Sequence, residues 1–527
     1  MSGQVTYPLG ESSFAKIRKA GKLYVDKTGF IPDLLKGSYY FLSRPRRFGK
    51  SLLISTLEEF FLGNRELFKG LAVDHLIPEP WDTYPVMHLD FMSMSYDSEG
   101  MLEEKLDTVL NEWERLYGIS GVRMAPSNRF DNVIRQAYSA TGKRVVILID
   151  EYDKPVLDGI GNKELEEQNR SLLRAFYGAM KANDANIRFV LLTGVGHIGQ
   201  INVFSGLNNI SDITYSDKYA SICGITEMEL TKYFLPSVRE WSQHKDISED
   251  RLLEELKKRY DGYHFAEEGE NIYNPFSLMN AFESRRLGSF WYTSGTPTSL
   301  MRRIATSRIS PEQLADSFIT PRQLESLDVV RSDSLTGFLL QTGYLTIKKY
   351  DHQLSRFTVG IPNQEVAEGI YQGILPYYIG LSSENGDDIV ARSVSELQAS
   401  LILGKPEAFV DFLIQFFDEA QYDFFDTKRI EKSVRDVIYC ISRLMGMNTR
   451  IEDHTPRGSI DMMAETDQYV YIFEYKVNKT ALVAMTQINE RGYALKYRHS
   501  DKRVIKIAVN FSTQTRNIDD FLIEECR

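Results

Sequence analysis

Residues 43–51 read Ser43-Arg44-Pro45-Arg46-Arg47-Phe48-Gly49-Lys50-Ser51, after a short hydrophobic strand (Tyr39–Ser43) and at the start of a helical stretch (Ser51–Leu57). A Gly-Lys-Ser sequence between a strand and a helix is typical of a phosphate-binding loop (P-loop). In such a loop, backbone N–H groups and the helix N-terminus surround phosphate oxygens, the lysine reaches the β- and γ-phosphates, and the serine hydroxyl ligates Mg²⁺. The stretch therefore predicts the strand, loop and helix of a nucleotide-binding domain.

One position departs from the P-loop pattern G-x-x-x-x-G-K-[ST]. Arg44 occupies the place of the first glycine, where glycine normally provides backbone angles that other residues resist. The stretch alone is therefore a weaker signal than the full pattern, and the prediction depends on a second motif.

The second motif is the stretch 143–151, in which Lys143 and Arg144 precede the apolar run 145–149 and Asp150 and Glu151 follow it. Such a continuous run indicates a strand that is buried on both faces of a parallel sheet. Asp150 at its carboxyl end could hold Mg²⁺, and Glu151 could orient the attacking water. The alternative is a buried strand that ends in a solvated acidic turn, but the P-loop upstream favours the nucleotide site.

A third group of residues lies near the end of the chain. Two predicted strands, 458–464 and 469–476, carry Asp461 on the first and Glu474 and Lys476 on the second. Side chains repeat every second residue along a strand, so Glu474 and Lys476 share one face. Two carboxylates and a lysine suit metal-dependent phosphodiester hydrolysis, because carboxylates hold the metal and the lysine assists the water or stabilises developing charge. The alternative is a hairpin with a surface Glu–Lys pair.

The motifs together resemble the bacterial AAA-ATPase-like family that carries a C-terminal PD-(D/E)XK nuclease domain. In that family an arginine in place of the first P-loop glycine is usual, and the resemblance covers nearly the whole chain. Further matching segments are Tyr24-Val25-Asp26-Lys27-Thr28, Asp150-Glu151-Tyr152-Asp153-Lys154-Pro155, Phe204-Ser205-Gly206-Leu207-Asn208-Asn209, Tyr260-Asp261-Gly262-Tyr263-His264-Phe265 and Tyr273-Asn274-Pro275-Phe276-Ser277. The resemblance implies an NTPase coupled to a nuclease-like module.

The candidate site residues fall into three groups. The predicted catalytic residues are Glu151, Asp461, Glu474, Lys476 and Gln487. The predicted nucleotide-binding residues are Arg44, Pro45, Arg46, Arg47, Phe48, Gly49, Lys50, Ser51, Leu52, Asp150 and Thr193. The predicted metal ligands are Ser51, Asp150, Asp461 and Glu474, and Glu431 is an additional candidate. Thr193 ends the strand 187–194, where AAA-like ATPases sense the γ-phosphate, although threonine is also common at strand ends.

The net charge of the 527-residue chain limits how it could bind nucleic acid. The formal net charge of −11 gives no overall attraction to nucleic acid, so binding requires local basic patches. The candidates are Arg44, Arg46 and Arg47 at the P-loop, and Arg491, Lys496, Arg498, Lys502 and Arg503 near the nuclease motif. A solvated charged face is an equally good interpretation of both groups. Residues 1–20 lack the apolar core of a signal peptide, and no stretch approaches the ~20 apolar residues that cross a bilayer, so we expect a cytoplasmic protein.

The order of patterns predicts an α/β protein with four regions. Strands alternate with helices from Tyr39 to Lys218, which favours a parallel sheet. Thr226 and Glu229 form a capping box that opens a helix at Glu227. We therefore divide the chain into an AAA-like P-loop ATPase core (1–225), a helical lid (226–305), a winged-helix-like middle region (306–405) and a PD-(D/E)XK nuclease-like domain (406–527).

The function that we expect is an ATP-binding and ATP-hydrolysing switch that controls a metal-dependent nuclease acting on DNA or RNA. The cofactors are ATP and Mg²⁺, with Mn²⁺ as a substitute at the nuclease site, and nucleic acid is the expected partner. The alternative is a regulatory NTPase or interaction module whose nuclease-like domain only binds a partner or nucleic acid. The sequence leaves the oligomeric state open, and a homo-oligomer is one possibility. Arg170 and Arg174 are only candidates for an arginine that acts on a neighbouring copy.

Overall fold

The chain folds into two compact units that are discontinuous in sequence. The first comprises Met1–Trp291 and Asp316–Asn363, and the second comprises Tyr292–Ala315 and Gln364–Arg527. The computed structural model describes residues 5–78, 80–119, 124–196, 209–293, 298–307, 310–325, 334–378, 394–418, 430–445, 450–455, 458–492, 494, 497 and 501–526. Each unit contains more than one of the four predicted regions, whose boundaries stay predictions.

The described strands and helices are named in chain order. The strands are β1 (Tyr39–Ser43), β2 (Val86–Asp90), β3 (Val145–Asp150), β4 (Ile187–Gly194), β5 (Ser211–Asp212), β6 (Ser317–Ile319), β7 (Thr346–Asp351), β8 (Arg356–Gly360), β9 (Arg450–Thr455), β10 (Gly458–Glu465), β11 (Tyr469–Val477), β12 (Arg503–Ser512) and β13 (Asn517–Cys526). The helices are α1 (Phe14–Lys19), α2 (Ile31–Leu34), α3 (Lys50–Phe61), α4 (Ala72–Leu76), α5 (Met101–Leu116), α6 (Pro126–Thr141), α7 (Lys154–Leu157), α8 (Lys163–Ala182), α9 (Glu227–Lys245), α10 (Glu249–Tyr260), α11 (Pro275–Ser284), α12 (Phe290–Thr293), α13 (Thr298–Thr306), α14 (Pro311–Ala315), α15 (Pro321–Glu325), α16 (Leu335–Thr342), α17 (Gln364–Tyr378), α18 (Pro406–Asp418), α19 (Ile430–Leu444) and α20 (Ala481–Arg491). Residues 394–402 are also helical.

A parallel sheet organises the first unit. Among the described residues its strand order is β2-β3-β4-β1-β5, and every neighbouring pair is parallel. The apolar runs predicted as buried strands are confirmed, since every residue of β1 and β3 is buried. Because β4 lies between β1 and β3, the carboxyl ends of these three strands meet at one edge of the sheet.

Helices on the sheet and beyond it form two apolar clusters in the first unit. The larger cluster joins the sheet to α5, α6 and α8, where the rings of Phe130 and Phe176 stack with centroids 4.3 Å apart. The second cluster joins α9, α10 and α11 around Trp241 and Phe282. α9 begins with the predicted capping box, in which Thr226 accepts from the Glu229 N–H and the Glu229 carboxylate accepts from the Thr226 N–H. The predicted helix start is therefore confirmed.

A small antiparallel sheet lies in the later part of the first unit. Its order is β6-β8-β7 in the described residues, and both neighbouring pairs are antiparallel.

A mixed sheet organises the second unit. Its described strands have the order β13-β12-β11-β10-β9, in which β11 and β12 are parallel and the other pairs are antiparallel. α20 connects β11 to β12 and buries Ala484, Met485 and Ile488 against the sheet. The α/β fold class is thus confirmed, and no helix among the described residues is long and apolar enough to span a bilayer.

Candidate functional site

The P-loop joins β1 to α3, as predicted. α3 begins at Lys50, and its N-cap Gly49 has a φ of 96°, a left-handed conformation that glycine adopts without steric cost. Arg47 also has a positive φ, of 69°. Ser51 and Leu52 lie half-buried on the first turn of α3. The first N–H groups of a helix have no partner within the helix, so this turn can offer backbone donors to an anion.

The Arg44 side chain is buried and fixes the start of the loop to a distant segment. Its Nη1 donates to the carbonyl oxygens of Ser43 (2.9 Å) and Thr214 (2.6 Å), and its Nη2 donates to that of Tyr219 (3.1 Å). The guanidinium lies 4.3 Å from the centre of the Phe265 ring. Burial lowers the pKa of Arg44 to about 10, so the group stays charged at neutral pH. These bonds explain why an arginine suits the first-glycine position, whereas its contact with nucleotide stays a prediction.

We expect Arg44→Met to lower the free energy of unfolding by about 3 kcal/mol, because buried carbonyl oxygens would lose charged donors. Urea unfolding followed by circular dichroism measures the change. Arg46→Met is the matched control, since Arg46 is exposed in the same loop and its replacement should change stability by no more than about 0.5 kcal/mol. Equal stabilities of the two variants would contradict the structural role of Arg44.

The remaining P-loop side chains either pack inward or face solvent. Phe48 is buried against Tyr263, with ring centroids 4.7 Å apart. Arg46 and Arg47 are exposed, and the Arg47 guanidinium lies 4.9 Å from the centre of the Phe276 ring. The predicted basic patch at the P-loop therefore consists of two exposed arginines, because Arg44 is buried.

Four predicted residues meet where β1, β3 and β4 end. The Lys50 Nζ lies 3.1 Å from Glu151 Oε1 and donates to the carbonyl oxygen of Arg44 at 3.1 Å. The Thr193 hydroxyl donates to Asp150 Oδ1 at 2.5 Å. Glu151 has a φ of 52°, and a non-glycine residue in this region carries strain of about 1 kcal/mol or more, of the kind found at functional sites. The structure thus brings together Lys50, Asp150, Glu151 and Thr193.

Asp153 is a residue of this site that the sequence analysis did not select. Its Oδ2 accepts hydrogen bonds from the N–H groups of Val195 (2.9 Å) and Gly196 (2.8 Å), and its buried Oδ1 has no partner among the described residues. Burial and the nearby charge of Glu151 raise the pKa of Asp153 to about 7. A Cβ at Gly194 would lie 2.6 Å from Asp153 Oδ1, so only glycine fits there. The available signal was the third acid in the run 150–153.

Asp461, Glu474 and Lys476 lie together on β10 and β11. These strands are antiparallel with Met462 opposite Phe473, which places Asp461 and Glu474 at the next positions of the ladder. The Lys476 Nζ lies 2.7 Å from Glu474 Oε1, and Asp461 Oδ2 accepts from the Tyr475 N–H at 3.0 Å. Glu474 is fully buried, whereas the Lys476 side chain is 18% exposed.

The Glu474 carboxylate is suited to a cation. Its Oε2 is buried without a hydrogen-bond partner among the described residues, and burial together with the charge of Asp461 raises the pKa of Glu474 to about 7. Within the described chain no cluster of three or more His, Cys, Asp or Glu side chains could hold a metal. Mg²⁺ is commonly bound through one or two carboxylates with water and substrate phosphate oxygens. Asp461 and Glu474 therefore fit a divalent cation that shares its ligands with a phosphodiester.

Two further residues, Gln487 and Glu431, are predicted to belong to this site. Gln487 lies half-buried on α20, and no hydrogen bond joins it to Asp461, Glu474 or Lys476 in the described chain. The side chain of Glu431 lies outside the described residues.

The predicted basic patch beside the nuclease motif is partly neutralised. Lys502 pairs with Glu465 at 2.7 Å, and Arg503 pairs with Glu525 at 2.5 Å. Lys496 and Arg498 lie outside the described residues, and Arg491 is exposed at the end of α20. Of the two candidates for an arginine acting on a neighbouring copy, Arg170 is fully buried and bonds to Glu166 at 3.0 Å.

Comparison with known proteins agrees with this arrangement. The family described as "Predicted AAA-ATPase" matches residues 8–204, and the PD-(D/E)XK nuclease superfamily matches residues 429–521. A protein described as "Uncharacterized protein in vnfD 5'region", from Azotobacter chroococcum mcd 1, is 34% identical over 529 residues, which cover 98% of the chain and 98% of that relative. The resemblance stated from the motifs is confirmed. The chain belongs to the family in which an AAA-ATPase-like domain is joined to a PD-(D/E)XK nuclease-superfamily domain.

Proposed function

We propose that the protein is an ATP-binding and ATP-hydrolysing switch that controls a metal-dependent nuclease acting on DNA or RNA phosphodiesters. The observation that carries the proposal is the buried Glu474 carboxylate beside Asp461, whose Oε2 has no hydrogen-bond partner among the described residues. Lys476 pairs with the other oxygen, Oε1, at 2.7 Å, but a buried carboxylate oxygen that accepts no hydrogen bond is costly unless a cation or a proton binds it.

The P-loop site supports the ATP half of the proposal. Lys50 would bind the β- and γ-phosphates, which requires it to leave Glu151, its partner at 3.1 Å. Ser51 and Asp150 would hold Mg²⁺ beside the phosphates. Glu151, once released, would orient the attacking water and accept its proton, and Thr193 would report the γ-phosphate through its bond to Asp150.

The residues of the second site support the nuclease half. A divalent metal held by Asp461 and Glu474 would supply Lewis-acid stabilisation of the phosphate and a more acidic water. The Lys476 side chain is partly exposed and its Nζ lies 2.7 Å from the buried Glu474, so its ammonium would reach a phosphodiester bound at the site and stabilise the charge that develops there. Gln487 on α20 would orient groups at the site.

A second candidate is a regulatory NTPase whose nuclease-like domain only binds a partner or nucleic acid. The net charge of −11 favours it, as do the acidic partners of Lys502 and Arg503 in the basic patch.

Cleavage of mixed DNA and RNA substrates in Mg²⁺ or Mn²⁺ tests the proposal. We expect metal-dependent cleavage that Lys476→Ala lowers by about 100-fold or more, as for removal of one transition-state donor. Lys506→Ala is the matched control, because Lys506 lies on β12 of the same sheet and pairs with Glu524 at 3.6 Å, and it should retain activity within about threefold. Binding of nucleic acid without cleavage in either metal would favour the second candidate.

A further inference from the structure

The outer part of the P-loop rests on Trp291 and Gly343 of the first unit. The Trp291 indole N–H donates to the Arg46 carbonyl oxygen at 3.0 Å, and the side chain is only 6% exposed. A Cβ at Gly343 would lie 2.6 Å from the Cβ of Pro45, and Gly343 has a φ of 88°, so the position requires glycine on two grounds. Pro45 and Arg46 are thus held from outside the loop by a tryptophan and a close backbone approach.

The chain passes from the first unit to the second at the bond between Trp291 and Tyr292. In the second unit, Tyr292 lies over α17 at Gly369 and Gly373, where an added Cβ would overlap its ring and its hydroxyl. Two glycines inside one helix cost about 1 kcal/mol each relative to alanine. The space they leave is filled by Tyr292, which gives these glycines a packing role.

α17 in turn packs on α19, where the rings of Tyr371 and Tyr439 meet edge to face with centroids 5.8 Å apart. α19 spans Ile430–Leu444 and opens the region that matches the nuclease superfamily. Trp291 and Tyr292 are therefore consecutive residues, one seated on the P-loop and the other on the helix that supports the nuclease-like region.

We propose that Trp291 and Tyr292 transmit the nucleotide state of the P-loop to α17, an inference that rests on the proposed function and names its regulation. In the structure, Lys50 donates to the carbonyl oxygens of Arg44 and Pro45. Phosphates that bind Lys50 withdraw these donors from the peptide groups next to the Arg46 carbonyl, which accepts from Trp291. The loop would then have a second set of hydrogen bonds when phosphate is bound, and Trp291, which contacts the loop, is covalently joined to Tyr292, which packs on α17. Such a two-state element is the physical requirement for coupling between sites.

The experiment uses the whole chain, with its four tryptophans replaced by 5-fluorotryptophan. Each labelled tryptophan is expected to give its own fluorine resonance. The Trp291 resonance is assigned by its loss in Trp291→Phe, and hydrogen exchange of residues 364–378 is followed in the same samples. We expect ATP with Mg²⁺ to shift the Trp291 resonance and to change the exchange of α17 amides by about threefold or more. In Trp291→Phe, and in Gly369→Ala, ATP should still bind but the α17 response should be lost.

Two variants serve as controls for these substitutions. Trp241→Phe replaces another buried tryptophan of the first unit, and Gly178→Ala replaces a helical glycine whose Cβ would meet nothing within 4 Å. Both should keep the α17 response. ATP binding with an unmoved Trp291 resonance, or an α17 response that persists in Trp291→Phe, would overturn the coupling and leave the proposed function standing. Absence of ATP binding to the native chain would reject the proposed function and the coupling together.

Discussion

Glu474→Gln is expected to stabilise the metal-free protein at pH 8 while it abolishes Mn²⁺ binding. The native carboxylate is buried beside Asp461, and in the part of the chain that the structure describes its Oε2 has no hydrogen-bond partner. A neutral amide keeps an oxygen to accept from Lys476 and adds an N–H₂ group that can donate to Asp461. We expect the free energy of unfolding to rise by about 2 kcal/mol, because burial disfavours the charged carboxylate and the neutral glutamine avoids that cost.

The pH dependence of this difference follows from the direction of the pKa shift. The pKa of Glu474 is raised from 4.5 to about 7 on folding. Between these pH values the folded protein keeps a proton that the unfolded chain has lost, so the stability of the native protein falls as pH rises through this window. The gain in Glu474→Gln should therefore be absent below pH 4.5, grow towards pH 7 and stay constant above it.

Urea unfolding at several pH values, with chelator and then with Mn²⁺, measures both effects. Mn²⁺ should stabilise the native protein and leave Glu474→Gln unchanged, since a ligand stabilises only the state that binds it. Glu465→Gln is the matched control on β10, because its carboxylate pairs with Lys502 at 2.7 Å. That variant should lose a few tenths of a kcal/mol, roughly, at every pH. A Glu474→Gln protein that is less stable at pH 8, or that still binds Mn²⁺, would contradict the metal site.

Glu151→Gln is expected to bind ATP at least as tightly as the native protein and to hydrolyse it about 100-fold or more slowly. The Glu151 carboxylate pairs with Lys50 at 3.1 Å and so competes with phosphates for the ammonium group. A neutral glutamine releases that competition but cannot accept a proton from water, and general bases typically contribute 10²–10⁴-fold, about the loss expected here. Lys50→Ala should instead lose ATP binding.

Fluorescent-nucleotide titration and phosphate release separate these two variants. Glu164→Gln removes an exposed acid of α8 and should match the native protein in both assays. Weaker ATP binding by Glu151→Gln together with a native rate of hydrolysis would show that Glu151 is not the base.

The sequence predicted those parts of the fold and site that depend on short stretches of chain. The β1–loop–α3 unit, the acids at the end of β3 and the pairing of β10 with β11 each lie within a few dozen residues, where periodicity and motif are informative. The grouping of Asp461, Glu474 and Lys476 needed only strand alternation and a tight connection. The proximity of Lys50, Asp150 and Thr193 followed from the parallel sheet, whose strands end at one edge.

What the sequence did not predict depends on long-range packing. The buried guanidinium of Arg44 bonds to Thr214 and Tyr219, and no local pattern links those positions. Asp153 is identified as a site residue by its hydrogen bonds to the turn after β4 and by the close approach of Gly194, both of which depend on the folded chain. Residues 204–208 of the family pattern lie outside the described residues.

Nuclease activity as a function of nucleotide state tests the central claim most directly. Cleavage should be compared with and without ATP for the native protein, for Glu151→Gln, which holds ATP unhydrolysed, and for Lys50→Ala, which cannot bind it. We predict that ATP changes the cleavage rate of Glu151→Gln by about tenfold, which is an ordinary size for coupling between two sites. The change should persist because this variant does not hydrolyse the ATP. The cleavage rate of Lys50→Ala should not respond to ATP. The contradicting result is cleavage that Lys476→Ala abolishes but that proceeds at the same rate with and without ATP in both the native protein and Glu151→Gln. That result would show a nuclease that nucleotide does not control.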